Sequence, residues 1–190
     1  RDLHYFPTRR SSDLAYKFDF ITVSDVVKSI RKNYAALDSY QANFQIQSIK
    51  DGKKVTQSGV LKFKSSDKLL MEFTNPARQK IVSNGDTMWV YIPSLNVVAE
   101  QDLMSESGIF ASGSEAGLTR LFSKYHYRFA SKEEPETMPD GSKMYTLVLK
   151  QKETRSGYRT IKLWVSESYF IVKAEGETST GKKVVITLSD

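Results

Sequence analysis

Residues 58–98 read SGVLKFKSSDKLLMEFTNPARQKIVSNGDTMWVYIPSLNVV. Apolar and polar side chains alternate here in short runs separated by tight polar turns. Gly59, Leu61 and Phe63 fall on one face of a strand, and Lys62 and Lys64 on the other. Asp67-Lys68 turns the chain, and Leu69, Met71 and Phe73 then repeat the inward face. Asn75-Pro76 breaks this strand, because proline cannot donate to a ladder. Lys80 to Ser83 predicts a short strand, Asn84-Gly85 a tight turn and Thr87 to Ile92 the next strand, with the pair Trp89 and Tyr91. Pro93-Ser94 ends it and Asn96 to Gln101 continues. A period of two interrupted by such turns predicts one wall of a curved antiparallel sheet.

The pattern extends in both directions. Upstream, Tyr40, Ala42, Phe44 and Ile46 share one face, opposite Gln41, Asn43, Gln45 and Gln47, so this strand has water on one side. Asp51-Gly52 supplies the positive φ of a hairpin turn back to Val55–Lys64. Before it, Val23, Val26, Val27, Ile30, Tyr34 and Leu37 recur at steps of one helical turn and predict a helix over Ile21 to Leu37, capped by Thr22 or Ser24. Its apolar stripe suits packing on a sheet. The short stripe and the bracketing Asp25 and Asp38 weigh against a membrane-surface helix.

Downstream, Met104 to Gly117 is rich in Gly and Ser around Ile109-Phe110 and reads as a flap. Leu118 to Phe122 predicts a short helix and Tyr125 to Phe129 a strand. Lys132 to Asp140 reads as a surface loop. Met144–Lys150, Tyr158–Val165, Phe170–Glu175 and Lys183–Leu188 complete the strands. The expected fold class is mainly β (α+β): an unclosed antiparallel half-barrel of about ten strands, with an N-terminal helix and a short helical lid.

Arg1 to Leu14 are set apart from the fold. FPTRRSSDL, Phe6 to Leu14, looks like one reading frame of a sequencing-adapter oligonucleotide. Residues 15–190 are expected to form a single domain. Of the whole chain, Lys and Arg number 28 against 22 Asp and Glu, a net charge of +6. These charges are interleaved, and even the basic stretch Lys150 to Lys162 alternates with strand residues. That predicts a solvated sheet face rather than a nucleic-acid patch. No cysteine occurs, which removes disulfides, thiol nucleophiles and Cys-based metal sites. No apolar run is long enough to span a bilayer as a helix.

Catalytic constellations are not visible. His4 lies in the segment set apart, so His126 stands without an evident partner, and general-base catalysis needs one. There is no phosphate-binding glycine loop, nucleophile elbow or zinc-protease motif. Glu133, Glu134 and Glu136 sit in a proline-containing loop and read as solubility residues. The sequence points away from an enzyme and toward binding, with no cofactor and no metal.

The inward side chains have two possible fates. They pack against the helix as an ordinary core, or the sheet is too wide for that helix and the remaining volume holds an acyl chain. Each buried methylene is worth about 0.8 kcal/mol, so a chain of about sixteen carbons could gain on the order of 10 kcal/mol before entropy costs. Periodicity does not choose between the two.

A resemblance does bear on it. The opening helix, Gly59-Val60-Leu61-Lys62-Phe63-Lys64, Leu69 to Pro76, Ile81-Val82-Ser83-Asn84-Gly85 and Met88-Trp89-Val90-Tyr91-Ile92-Pro93 resemble, in order, the LolA family of periplasmic outer-membrane lipoprotein carriers. The resemblance covers about Val23 to Leu188. It implies an unclosed barrel lidded by helices over a hydrophobic cavity that holds lipoprotein acyl chains, without a cofactor. It further implies a monomer in the periplasm that loads from an inner-membrane ABC-type lipoprotein release complex and delivers to an outer-membrane lipoprotein acceptor. On that basis the expected cavity wall is Phe44, Ile46, Leu61, Phe63, Met71, Phe73, Trp89 and Tyr91. The expected lid residues are Ile109, Phe110, Leu121 and Phe122.

Two departures qualify it. The family often carries an Arg-Pro pair, whose Arg latches the lid, where this chain has Ser65-Ser66. The basic neighbours Lys64 and Lys68 cannot reproduce the arginine fork, so the latch, if any, is different here and the family's lid dynamics do not carry over. Second, Asn84 stands where the family often has Asp, and Asn-Gly makes the same turn. The family also usually continues past the equivalent of Asp190, so a C-terminal truncation is expected, and with Arg1 to Leu14 set apart a signal peptide is expected to have been lost. The competing reading is a LolA-like regulatory or sensor domain of an envelope-stress pathway, binding a protein partner or lipid.

Overall fold

A computed structural model describes residues 20–65, 67–102, 113–132, 134–153 and 157–189. The segment Arg1–Leu14, the lid candidates Ile109 and Phe110, and Ser66 of the Ser65-Ser66 pair lie outside the described residues.

Helix α1 (Val23–Ala35) opens the described chain. Thr22 is its N-cap: the Thr22 Oγ1 accepts from the Asp25 backbone N–H at 3.2 Å, and the Asp25 carboxylate accepts from the Thr22 backbone N–H at 3.0 Å. This reciprocal box satisfies two donors that a helix start otherwise leaves open. Val26, Val27, Ile30 and Tyr34 form its buried stripe.

The strands follow as β1 (Ser39–Lys50), β2 (Lys53–Lys64), β3 (Lys68–Asn75), β4 (Lys80–Ser83), β5 (Thr87–Ile92) and β6 (Val97–Asp102). Helix α2 (Glu115–Lys124) then precedes β7 (Tyr125–Phe129), β8 (Glu136–Thr137), β9 (Lys143–Gln151), β10 (Tyr158–Ser166), β11 (Ile171–Thr178) and β12 (Lys183–Ser189). They pair antiparallel in the order β6-β5-β4-β3-β2-β1-β12-β11-β10-β9-β7, with β8 beside β9. The sheet is unclosed: its free edges are β6 and β7. The sequence reading of about ten strands fell short partly because β8 is only two residues long, inside what reads as a surface loop.

Local chemistry fixes the register. Asp51 and Gly52 both take positive φ, 50° and 74°, which lets β2 return directly on β1. Gly59 faces Phe44 across that pair. A Cβ there would come 2.8 Å from the Phe44 ring and collide with the Glu72 carbonyl, so glycine allows the ring to lie over the strand. The inner face then carries Phe44, Ile46, Leu61, Phe63, Met71, Phe73, Ile81, Leu147, Leu149, Ile161, Leu163, Val165 and Ile186, all buried in one cluster with α1 and α2. Both helices lie against this inner face.

Candidate functional site

The inner face of the sheet beneath the two helices is the candidate site. Phe44, Ile46, Leu61, Phe63, Met71 and Phe73 all point into it from β1, β2 and β3 and are buried. Phe44 and Phe73 meet edge to face, with ring centroids 4.9 Å apart. Phe63 stacks on Tyr40 at 5.2 Å, and Tyr40 in turn meets Tyr34 of α1 edge to face. Leu121 and Phe122 lie buried on the underside of α2 with Leu118, and Phe122 abuts Tyr127 of β7.

Trp89 and Tyr91 are placed elsewhere, which corrects the sequence expectation. Cross-strand partners share a face, and Leu70, Val82, Trp89 and Glu100 are successive partners across β3 to β6. That is the outer face. The Trp89 indole N–H donates to Glu100 at 3.0 Å, and Tyr91 is 37% exposed. Met88 and Val90 point inward instead, against the core. The physical reason is that β5 is apolar at both parities, so alternation has no polar face to orient it.

Little space remains inside. A cavity of about 30 Å³ lies among Tyr34, Tyr40, Leu61, Met71, Ile171 and Ile186, room for no more than about two water molecules. A larger hollow of about 250 Å³ lies between α1 and the ends of β1, β11 and β12, against Leu37, Tyr40, Ala42, Phe170 and Leu188. The inward side chains thus form a packed core in this conformation.

The contacts that hold α2 were not among the residues singled out from sequence. Arg31 of α1 donates through Nη2 and Nε to Glu115 Oε1, at 3.0 and 3.3 Å. Thr119 donates to the same oxygen at 2.7 Å. The Thr119 hydroxyl first, and Arg31 second, hold the Glu115 carboxyl below its ordinary value. Arg120 Nη2 donates to the Gly85 carbonyl in the β4–β5 turn at 3.3 Å, and the Tyr40 hydroxyl donates to the Gly113 carbonyl at 3.0 Å. At its C-terminal end Lys152, just after β9, donates through Nζ to the Ser123 carbonyl at 2.8 Å and through its backbone N–H to the Lys124 carbonyl at 3.1 Å, so α2 is tied to α1, to β1 and to two connections of the sheet. The partners of Arg31, Arg120 and Tyr40 are 84, 35 and 73 residues away in sequence, beyond the reach of local pattern. Two of these ties come from arginines on the helices, Arg31 and Arg120.

Electrostatics elsewhere in the site are quiet. Burial pushes the Tyr34 hydroxyl up to about 12 and raises that of Tyr40 further, so both stay neutral. Among the described residues no group of His, Asp or Glu could hold a metal ion. No helix among them is long and apolar enough to cross a membrane. His126 is exposed on the outer face of β7.

Known proteins share this architecture. An uncharacterized conserved protein from Thermus thermophilus is similar with a TM-score of 0.55, at 11% identity over 87% of this chain and 83% of that one. MucB is similar with a TM-score of 0.53, at 15% identity, over 88% of this chain and 57% of MucB. A LolA superfamily protein from Nitrosomonas europaea is 17% identical over 90% of this chain and 93% of that one, with a TM-score of 0.47. At such identities the likeness is one of fold. No curated protein matches the sequence. Residues 35–190 match the family described as outer membrane lipoprotein carrier protein LolA, a span that takes in every strand and α2. The chain belongs to the LolA family.

Proposed function

We propose that this protein is a non-enzymatic periplasmic carrier that shields the acyl chains of lipoproteins between the inner and outer membranes. The observation that carries the reading is the way α2 is held. Its underside buries Leu118, Leu121 and Phe122 against the sheet, yet its polar ties are few and partly exposed. Lifting it would uncover a continuous apolar trough lined by Phe44, Leu61, Phe63, Met71 and Phe73. An acyl chain in that trough replaces the apolar contacts that α2 gives up, so opening costs less with cargo than without. Membership of the LolA family supports the same reading. Loading from an inner-membrane ABC-type release complex, and delivery to an outer-membrane acceptor, are the partner steps this reading implies.

The test is native mass spectrometry of the protein purified after co-expression with a triacylated lipoprotein. A one-to-one complex is expected. Phe63→Glu should abolish it, and Arg120→Ala, which removes a tie of α2 and leaves the trough intact, should preserve cargo while speeding its exchange. A folded protein that carries neither lipoprotein nor lipid would overturn the carrier reading in favour of a regulatory domain.

A further inference from the structure

The outer face of the C-terminal half carries a cluster of cations that the acyl-chain site does not use. Trp164 projects outward from β10, between the buried Leu163 and Val165. The Lys162 ammonium lies 4.8 Å from the Trp164 ring centroid, and the Lys173 ammonium 4.2 Å. Cross-strand register sets more cations beside them. Arg128, Val148 and Lys162 are successive partners across β7, β9 and β10, and His126 is the partner of Lys150 one row away.

On the outer faces of these strands the acids are Glu175 and Glu177 of β11, and Glu175 is the cross-strand partner of Lys162. Among the described residues, Arg128, Lys150, Lys162 and Lys173 take part in no ion pair. Both of these acids are engaged by Lys183 of β12, at 3.9 and 3.7 Å. The other half of the same outer face differs: there Glu72 sits between Lys62 and Lys80, at 2.9 and 3.2 Å. One wing thus ties two lysines to a shared acid, while the cations around Trp164 stand outside any ion pair.

We propose that the outer face of β7, β9, β10 and β11, centred on Trp164, docks on an anionic phospholipid bilayer. Unpaired lysines and arginine complement a surface of phosphate headgroups. A tryptophan with an apolar ring and a polar N–H is suited to the headgroup level, and the half-exposed Val148 adds apolar contact beside it. The face is a sheet surface without a protruding helix or ribbon to enter a nucleic-acid groove, and the Trp164 ring is already engaged by ammonium groups rather than free to stack on a base. An extended headgroup surface fits these features best. The inference stands apart from the carrier reading, because it uses the outer face only.

The test is co-sedimentation of the full chain with phosphatidylcholine vesicles, with and without phosphatidylglycerol. Binding is expected only with phosphatidylglycerol, and added salt should weaken it. The double variant Lys162→Glu/Lys173→Glu should bind about tenfold more weakly or worse. Lys53→Glu/Lys54→Glu, with the same change in net charge at the β1–β2 hairpin, should match the parent within about twofold. In a Trp89→Phe background, Trp164 fluorescence should shift to the blue on binding. Absence of vesicle binding would overturn the proposal. So would equal losses in the two double variants, which would reduce it to net charge, or an unmoved Trp164 signal.

Discussion

The two helices cover the same sheet but are held to it differently. Helix α1 reaches the first residue of β11 and the turn before it: the Ile171 backbone N–H donates to the Tyr34 hydroxyl at 3.2 Å, and the Asn33 side chain donates to the Ser168 carbonyl in the β10–β11 turn at 2.6 Å. Its Val26 and Ile30 are fully buried. Helix α2 buries a comparable stripe, but its ties run to α1, to the β4–β5 turn, to Lys152 at its C-terminal end and, through Gly113 just before it, to Tyr40. Both side chains of its ion pair are more than a third exposed. Apolar area alone would make the two helices equivalent. The placement of their polar ties makes α1 part of the framework and α2 the element that can leave without dismantling it.

That contrast can be broken in order of expected effect. Ile30→Ala should cost about 2–5 kcal/mol in denaturant unfolding, and protection against hydrogen exchange should fall across all strands together. Leu121→Ala removes a similar volume from under α2, yet its loss of protection should concentrate in 115–124. Loss spread evenly over the sheet would show that α2 is framework too.

Alkaline titration should act on α1. The folded Tyr34 hydroxyl is raised to about 12 by burial, so its contribution is intact below the ordinary tyrosine value near 10. Above that value stability should fall by roughly 1.4 kcal/mol per pH unit, until the folded value is reached. Tyr34→Phe should make this limb shallower by that amount, leaving the part due to Tyr40, whose hydroxyl burial also raises.

Removing the capping hydroxyl with Thr22→Ala should cost about 1 kcal/mol and fray only the start of α1, read as faster exchange at the amides of residues 23–26.

The smallest effect belongs to the tie between the helices. Because the folded Glu115 carboxyl is depressed, its contribution is present above the ordinary carboxylate value and is lost as pH falls through the folded one. Given its exposure, less than about 1 kcal/mol is at stake. Faster exchange in α2 on acidification should disappear in Glu115→Gln.

Much of this framework is legible in the sequence. The stripe and cap of α1 and the alternation of β1 to β3 mark side chains that face one environment on one side and water on the other. Asp51-Gly52 and Asn84-Gly85 mark turns whose backbone demands those residues, and Gly85 takes φ of 100°. Legibility fails where that asymmetry fails. In β5, Met88, Val90 and Ile92 are as apolar as Trp89 and Tyr91, so alternation carries no direction and the larger aromatics suggest the wrong face. The ties of α2 fail for another reason. An arginine that donates to a backbone carbonyl 35 residues away leaves no periodic trace, and Gly85 reads as a turn residue whether or not Arg120 reaches it. Leu121 and Phe122 are readable as the underside of a helix, but nothing local says what holds that helix down.

The strand order has a consequence for how the molecule could be cut and rejoined. Every neighbouring pair from β6 to β1 and from β12 to β9 is joined by a short connection, and β1 meets β12 in the middle of the sheet. The two free edges, β6 and β7, are consecutive strands in the chain, and the stretch between them contains α2. The molecule is therefore a bracelet whose clasp is a single stretch of polypeptide. A nick between β6 and α2 would leave every strand pairing intact, while the covalent link of α2 to the sheet would run through β7 alone. A chain permuted to begin at α2, with the present ends joined, would carry its hinge at its own N-terminus.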